Sequence, residues 1–138
     1  MDSVQTVWGP RALSLLRIVA GLLFLEHGIV KVFAFPAGPG FSHLPPLFMA
    51  AGLIEVVGGA LMVLGLFTRI AAFVMSGEMA VAYFMVFLPH SFFPLVNHGE
   101  AAILYCFIFL YFAAAGSGAW SLDAMRRAGG AAPGGGAG

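Results

Sequence analysis

The chain has 138 residues, 61% of them hydrophobic and 9% charged, with a formal net charge of zero. A typical soluble domain carries about 25% charged residues, and without polar outer faces the helices of this chain need lipid as their solvent. The absence of net charge and of any basic cluster excludes a nucleic-acid partner, and a single cysteine, Cys106, forms no internal disulfide and no CxxC redox pair.

The hydropathy pattern predicts an all-α, polytopic membrane protein: a four-transmembrane-helix bundle within residues 1–127. The first span runs from about 13 to 33 and is stopped by Pro36, Gly38, Pro39 and Gly40. Arg11 and Arg17 ahead of an apolar run resemble the start of a secretion signal. Glu26 and His27 follow where a small-residue cleavage site belongs, so a retained helix is expected. The second span, about 47–67, opens after Pro45 and Pro46, which suit a helix start because an early proline loses no intrahelical bond. At 1.5 Å per residue it is about 31 Å long, matching a hydrocarbon core of about 30 Å. Thr68 and Arg69 form a short turn into the third span, about 70–88, ended by Pro89. The fourth covers about 98–116. Residues 128–138 form a Gly/Ala-rich tail with nothing to pack, expected to be disordered. Glycines recur along the spans, which predicts close helix approach.

Arg11, Arg17, Arg69, Arg126 and Arg127 fall on one side of such a topology, and Lys31 alone on the other. The positive-inside rule places both termini in the cytoplasm. Trp8 and Trp120 then lie at the cytoplasmic interface, and Phe33, Phe35, Phe41, Phe92 and Phe93 form an outer belt.

The placement of acids carries the chemistry. Glu26, Glu55, Glu78 and Glu100 fall one in each helix, although an embedded ionisable group costs roughly 2.5–3.5 kcal/mol to insert. Counted from the outer ends, their depths are about 10, 12, 15 and 5 Å respectively. His27 adjoins Glu26, Lys31 shares a helix face with His27, and His98 sits just above Glu100. If all face inward, Glu26, His27, Lys31, Glu55, Glu78, His98 and Glu100 form one polar cluster that opens outward.

Structural readings stand beside this one. Asn97 to Glu100 has the spacing of a capping box. Lys31 can snorkel to the headgroups. His27 can be an interior histidine with its hydrogen bonds satisfied. Arg17 and Arg69 read as topology anchors, partnered by Asp123, and the buried glutamates can cross-link helices by hydrogen bonds. As a binding cluster, the same residues suit a proton relay or an amphipathic ligand such as a quinone. A metal is not expected, because the Glu-x-x-His spacing of inward-facing metal bundles is missing. Cysteine ligands and mid-bundle histidine pairs are missing too, so no intrinsic cofactor is expected.

Four stretches resemble the DoxX family of small four-helix membrane proteins: LLRIVAGLLFLEHGIVKVF (15–33), GLIEVVGGALMVLGLFTRIAA (52–72), NHGEAAILY (97–105) and GAWSLD (118–123). By position the family pattern falls on Arg17, His27, Gly28, Lys31, Glu55, Gly58, Gly59, Thr68, Arg69, Glu100, Ser121, Leu122 and Asp123. Glu26 and Glu78 belong less clearly to it. The resemblance implies a multi-pass protein of a bacterial or archaeal cytoplasmic membrane. It also implies a non-catalytic accessory or anchoring subunit of a membrane-associated, quinone-linked oxidoreductase rather than an enzyme by itself, with a redox-enzyme partner subunit. The alternatives are a proton-coupled small-solute or ion transporter using the glutamates, which at this size needs a homo-oligomer, and a structural or assembly protein.

Overall fold

The computed structural model describes residues 3–38 and 40–131. Among these the secondary structure is helical, with no strand. Helix α1, Ser3–Phe33, starts ten residues before the expected 13. At 31 residues it is about 46 Å long, well beyond a hydrocarbon core of about 30 Å. Hydropathy marks only its membrane-length part, and the turns carrying Trp8 and Arg11 extend past it.

Helix α2, Pro46–Leu64, has Pro46 at its first position and ends three residues before the expected 67. Gly65 is left-handed (φ 67°), and the Leu66 N–H bonds the Leu61 carbonyl at 3.0 Å, closing the helix in the manner of a Schellman cap. Helix α3, Thr68–Ala82, follows after three residues, so Thr68 and Arg69 are helical rather than turn. It continues through a π-helical turn, Tyr83–Phe87, and a 3₁₀ turn, Leu88–His90. Helix α4, Pro94–Asn97, is a single turn, and α5 is Glu100–Ala115.

Helix α6, Leu122–Gly130, was not expected as an element. Ser121 caps it, its Oγ accepting the Ala124 N–H at 3.0 Å. The helix reaches three residues into the stretch read as a tail, while residues 132–138 lie outside the described residues.

Among the described residues, three helical stretches are long and apolar enough to cross a membrane: Ser3–Phe33, Pro46–Leu64 and Thr68–His90. Glu100–Ala115 is apolar but shorter, about 24 Å. Large apolar side chains cover the outside, among them Ile70 and Phe73 on α3 and Phe107 on α5, at 71%, 67% and 64% exposure. In water such a surface would aggregate; against lipid it is a solvated face.

Helix α1 packs along α2 and α3 along α5, with α2 also meeting α3. The first of these interfaces is set by small residues. A Cβ on Gly28 would stand 2.6 Å from the Val56 backbone nitrogen, and one on Gly59 would stand 2.8 Å from that of Leu25. The two glycines let α1 and α2 meet backbone to backbone, the contact that lipid, supplying no hydrophobic drive, makes decisive. Phe24 of α1 closes the centre against Phe109 and Tyr105 of α5, at centroid distances of 4.8 and 5.4 Å.

Candidate functional site

The polar groups divide between two ends of the molecule. At the first end Arg17 is buried, 1% exposed. Its guanidinium donates to the Met62 carbonyl at 2.7 Å, to the Trp120 carbonyl at 2.6 Å and to the Ser117 carbonyl. Arg69 donates to the carbonyls of Ala113 and Ala114 at the end of α5. Helix ends leave carbonyls without partners, and the five N–H groups of a guanidinium fit them.

Asp123 does the converse for α3, accepting the N–H groups of Phe67 and Thr68 at 3.0 Å each. The expected pairing of Arg17 and Arg69 with Asp123 is therefore replaced by bonds to main chain: Arg17 reaches the end of α2 and the loop after α5, Arg69 the end of α5, and Asp123 the start of α3. Burial pushes the Asp123 carboxyl up. The N–H groups of Thr68 and Phe67 and the positive charge of Arg127 outweigh it and hold the group below the ordinary carboxylate range.

The second end holds the candidate site. Lys31 Nζ donates to Glu55 Oε1 at 2.6 Å, the one ion pair among the described residues, with Glu55 at 1% exposure. Lys31 does not snorkel; it reaches across to α2. His27, one turn earlier, donates from Nδ1 to the Leu23 carbonyl at 2.8 Å and sets its ring against Tyr105 at 6.1 Å. Glu78 comes from α3. Both of its carboxylate oxygens, and Glu55 Oε2, are buried without a hydrogen-bond partner.

These four residues line one cavity of about 530 Å³, walled by α1, α2, the α3 helix with its π turn, and α5. That size falls within the range of small-molecule sites, about 300–1,000 Å³. Its walls are apolar, with Phe24, Ile54, Met79 and Ala102 beneath. Exposed apolar side chains form the rim: Leu47 and Phe48 on α2, Val74 and Val81 on α3, and Met85 on the π turn. Gly77 lies at the cavity with open space where a Cβ would stand.

Of the seven residues expected to cluster, His27, Lys31, Glu55 and Glu78 come together here. Glu26, His98 and Glu100 do not line the cavity and are exposed. Their expected place in one inward cluster is corrected by two features. Glu26 precedes His27 on a helix whose neighbouring positions point about 100° apart. His98 and Glu100 follow a break in the chain rather than opening a long helix.

That break also removes the capping box. His98 is left-handed (φ 60°), Gly99 stands at the cap position and Glu100 is the first residue of α5. Asn97 instead accepts the Gly99 N–H at 2.7 Å and donates to the Ser91 carbonyl at 2.8 Å. Tyr105 was missed as a cavity residue, although a lone hydroxyl within the apolar run 101–110 is a signal visible in the sequence. Among the described residues, no group of three or more His, Cys, Asp or Glu could hold a metal.

Comparison with known proteins gives a consistent frame. The DoxX family model matches residues 12–88. An uncharacterised protein of Haemophilus influenzae is 46% identical over 120 residues, covering 83% of this chain and 90% of the relative. An uncharacterised membrane protein of Mycobacterium tuberculosis is 34% identical over 135 residues, covering 83% and 81%. No solved structure matches.

Proposed function

This chain belongs to the DoxX family of membrane proteins, and from that premise we propose that it binds a lipid-soluble amphipath in the cavity of a four-span bundle. The bundle has both termini in the cytoplasm of a bacterial or archaeal cell and lies in the cytoplasmic membrane. One observation carries the reading: a cavity of about 530 Å³ with apolar walls, an apolar rim and buried acceptors left unsatisfied. Such a site takes an apolar tail and a polar head. The topology is supported by Arg17, Arg69 and Asp123, whose bonds gather at the end shared by the α2–α3 turn and the close of α5.

The role that goes with this site is that of an accessory or anchoring subunit of a membrane-associated oxidoreductase, non-catalytic by itself, offering a quinone-sized pocket beside its partner. The test is mass spectrometry of the tagged protein purified in mild detergent, with quinone extracted from the same sample. A stoichiometric redox partner supports the role; a homo-oligomer with neither partner nor quinone removes it.

A second reading is favoured by the unpartnered carboxylate of Glu78. Intramembrane carboxylates lining a cavity are the chemistry of proton-coupled transport of a small solute or ion. Proteoliposomes would then show a proton flux that Glu78→Gln abolishes, and flux equal to that of empty liposomes rules it out.

A further inference from the structure

The charges around the cavity name the head group of the molecule that fills it. Helix α1 supplies His27 and Lys31, α2 supplies Glu55, α3 supplies Glu78, and α5 supplies Tyr105. Lys31 is committed to Glu55 Oε1. Among the described residues no ion pair includes Glu78, whose two oxygens are buried without partners, as is the second oxygen of Glu55. Glu55 itself is 1% exposed. Two carboxylates therefore face one ammonium, and the buried side-chain atoms left without partners here are carboxylate oxygens.

We propose that the cavity takes a lipid-soluble primary amine, a single ammonium on an apolar tail. Three N–H donors on the head match the three orphan oxygens of Glu55 and Glu78, and the added positive charge balances the second carboxylate. An ion this far from water needs both a counter-charge and hydrogen bonds, and the site offers both. The tail leaves past Gly77, where no side chain obstructs, toward the apolar rim of Val81 and Met85. Access is sideways from the bilayer, so the amine arrives already partitioned into lipid. This inference rests on the cavity being a ligand site and goes beyond it by assigning the charge.

The experiment uses the full-length protein in nanodiscs with three probes: a dansyl-tagged decylamine, its N-acetylated counterpart with the same tail, and decylubiquinone. The expected result is saturable binding of the amine, with the uncharged amide weaker by about tenfold or more. Glu78→Gln is expected to weaken the amine by a similar factor and leave the amide unchanged. If that variant fails to fold, the amine–amide comparison on the unaltered protein decides alone. Equal or tighter binding of the amide or the quinone overturns the amine while leaving the cavity as a ligand site. Saturable binding of none of the three overturns both.

Discussion

Lys31 on α1 and Glu55 on α2 form an ion pair at 2.6 Å, with the carboxylate side chain 2% exposed and the lysine 28% exposed. A buried pair adds little net stability compared with apolar residues of the same shape, yet removing one member leaves a charge without a partner. Lys31→Met is therefore expected to destabilise the protein by about 3 kcal/mol. The double variant Lys31→Met, Glu55→Met is expected to recover most of that loss. Thermal melting in one detergent checks both, and a double variant as unstable as the single one would contradict the assignment.

At the α1–α2 interface the decisive quantity is space. Gly28→Ala sets a methyl group 2.6 Å from the Val56 nitrogen, and main chain cannot step aside as a flexible side chain can. The expected loss is about 1–3 kcal/mol. Gly9→Ala, in the same helix with nothing within 4 Å, is expected to be neutral or slightly stabilising. Equal melting temperatures for the two variants would rule out the close approach.

Arg17 serves three carbonyls from one planar fork. A lysine offers a compact ammonium on a different geometry and does not replace it. Arg17→Lys is expected to melt well below the parent, and Arg17→Met to lose about 3 kcal/mol or more. Parent-like melting of Arg17→Lys would show that charge alone suffices.

The depressed pKa of Asp123 fixes the sign of a pH effect. The group ionises more readily folded than unfolded, so its contribution is fully present above the ordinary value of 3.8. It is lost as pH falls below 3.8 through the folded value. Melting temperatures of the parent and of Asp123→Asn are expected to converge over that acid range and to stay a constant distance apart at neutral pH. A gap that widens on acidification would reverse the argument.

Gly77 tests the route into the cavity. Gly77→Leu adds volume where open space stands, so the fold tolerates it while the mouth narrows. Ligand binding is expected to fall with melting unchanged. Undiminished binding would place the access route elsewhere.

The sequence shows where charge sits in depth but not what it meets. Periodicity and hydropathy place Lys31 and Glu55 in the same outer half, yet their pairing depends on the register between two helices, which Gly28 and Gly59 set through space. The same reason hides Arg17: its acceptors at 117 and 120 lie about a hundred residues away in the chain. Local signals were misread in both directions. Asn97 has the spacing of a capping box, but the left-handed turn at His98 redirects its amide. Ser121 does cap a helix, one that hydropathy does not mark because it is short and that runs into the stretch expected to be a tail from 128 on.

The bonds of Arg17 also impose an order on synthesis. The first helix enters the membrane carrying a guanidinium two of whose three acceptors belong to residues 117 and 120, near the end of the described chain. Until those residues are made, the nascent protein holds an unsatisfied cation among its helices. A chain cut short before Ser117 keeps it permanently. Residues 117 and 120 thus complete the hydrogen bonding of a side chain that lies about a hundred residues earlier, in the first helix.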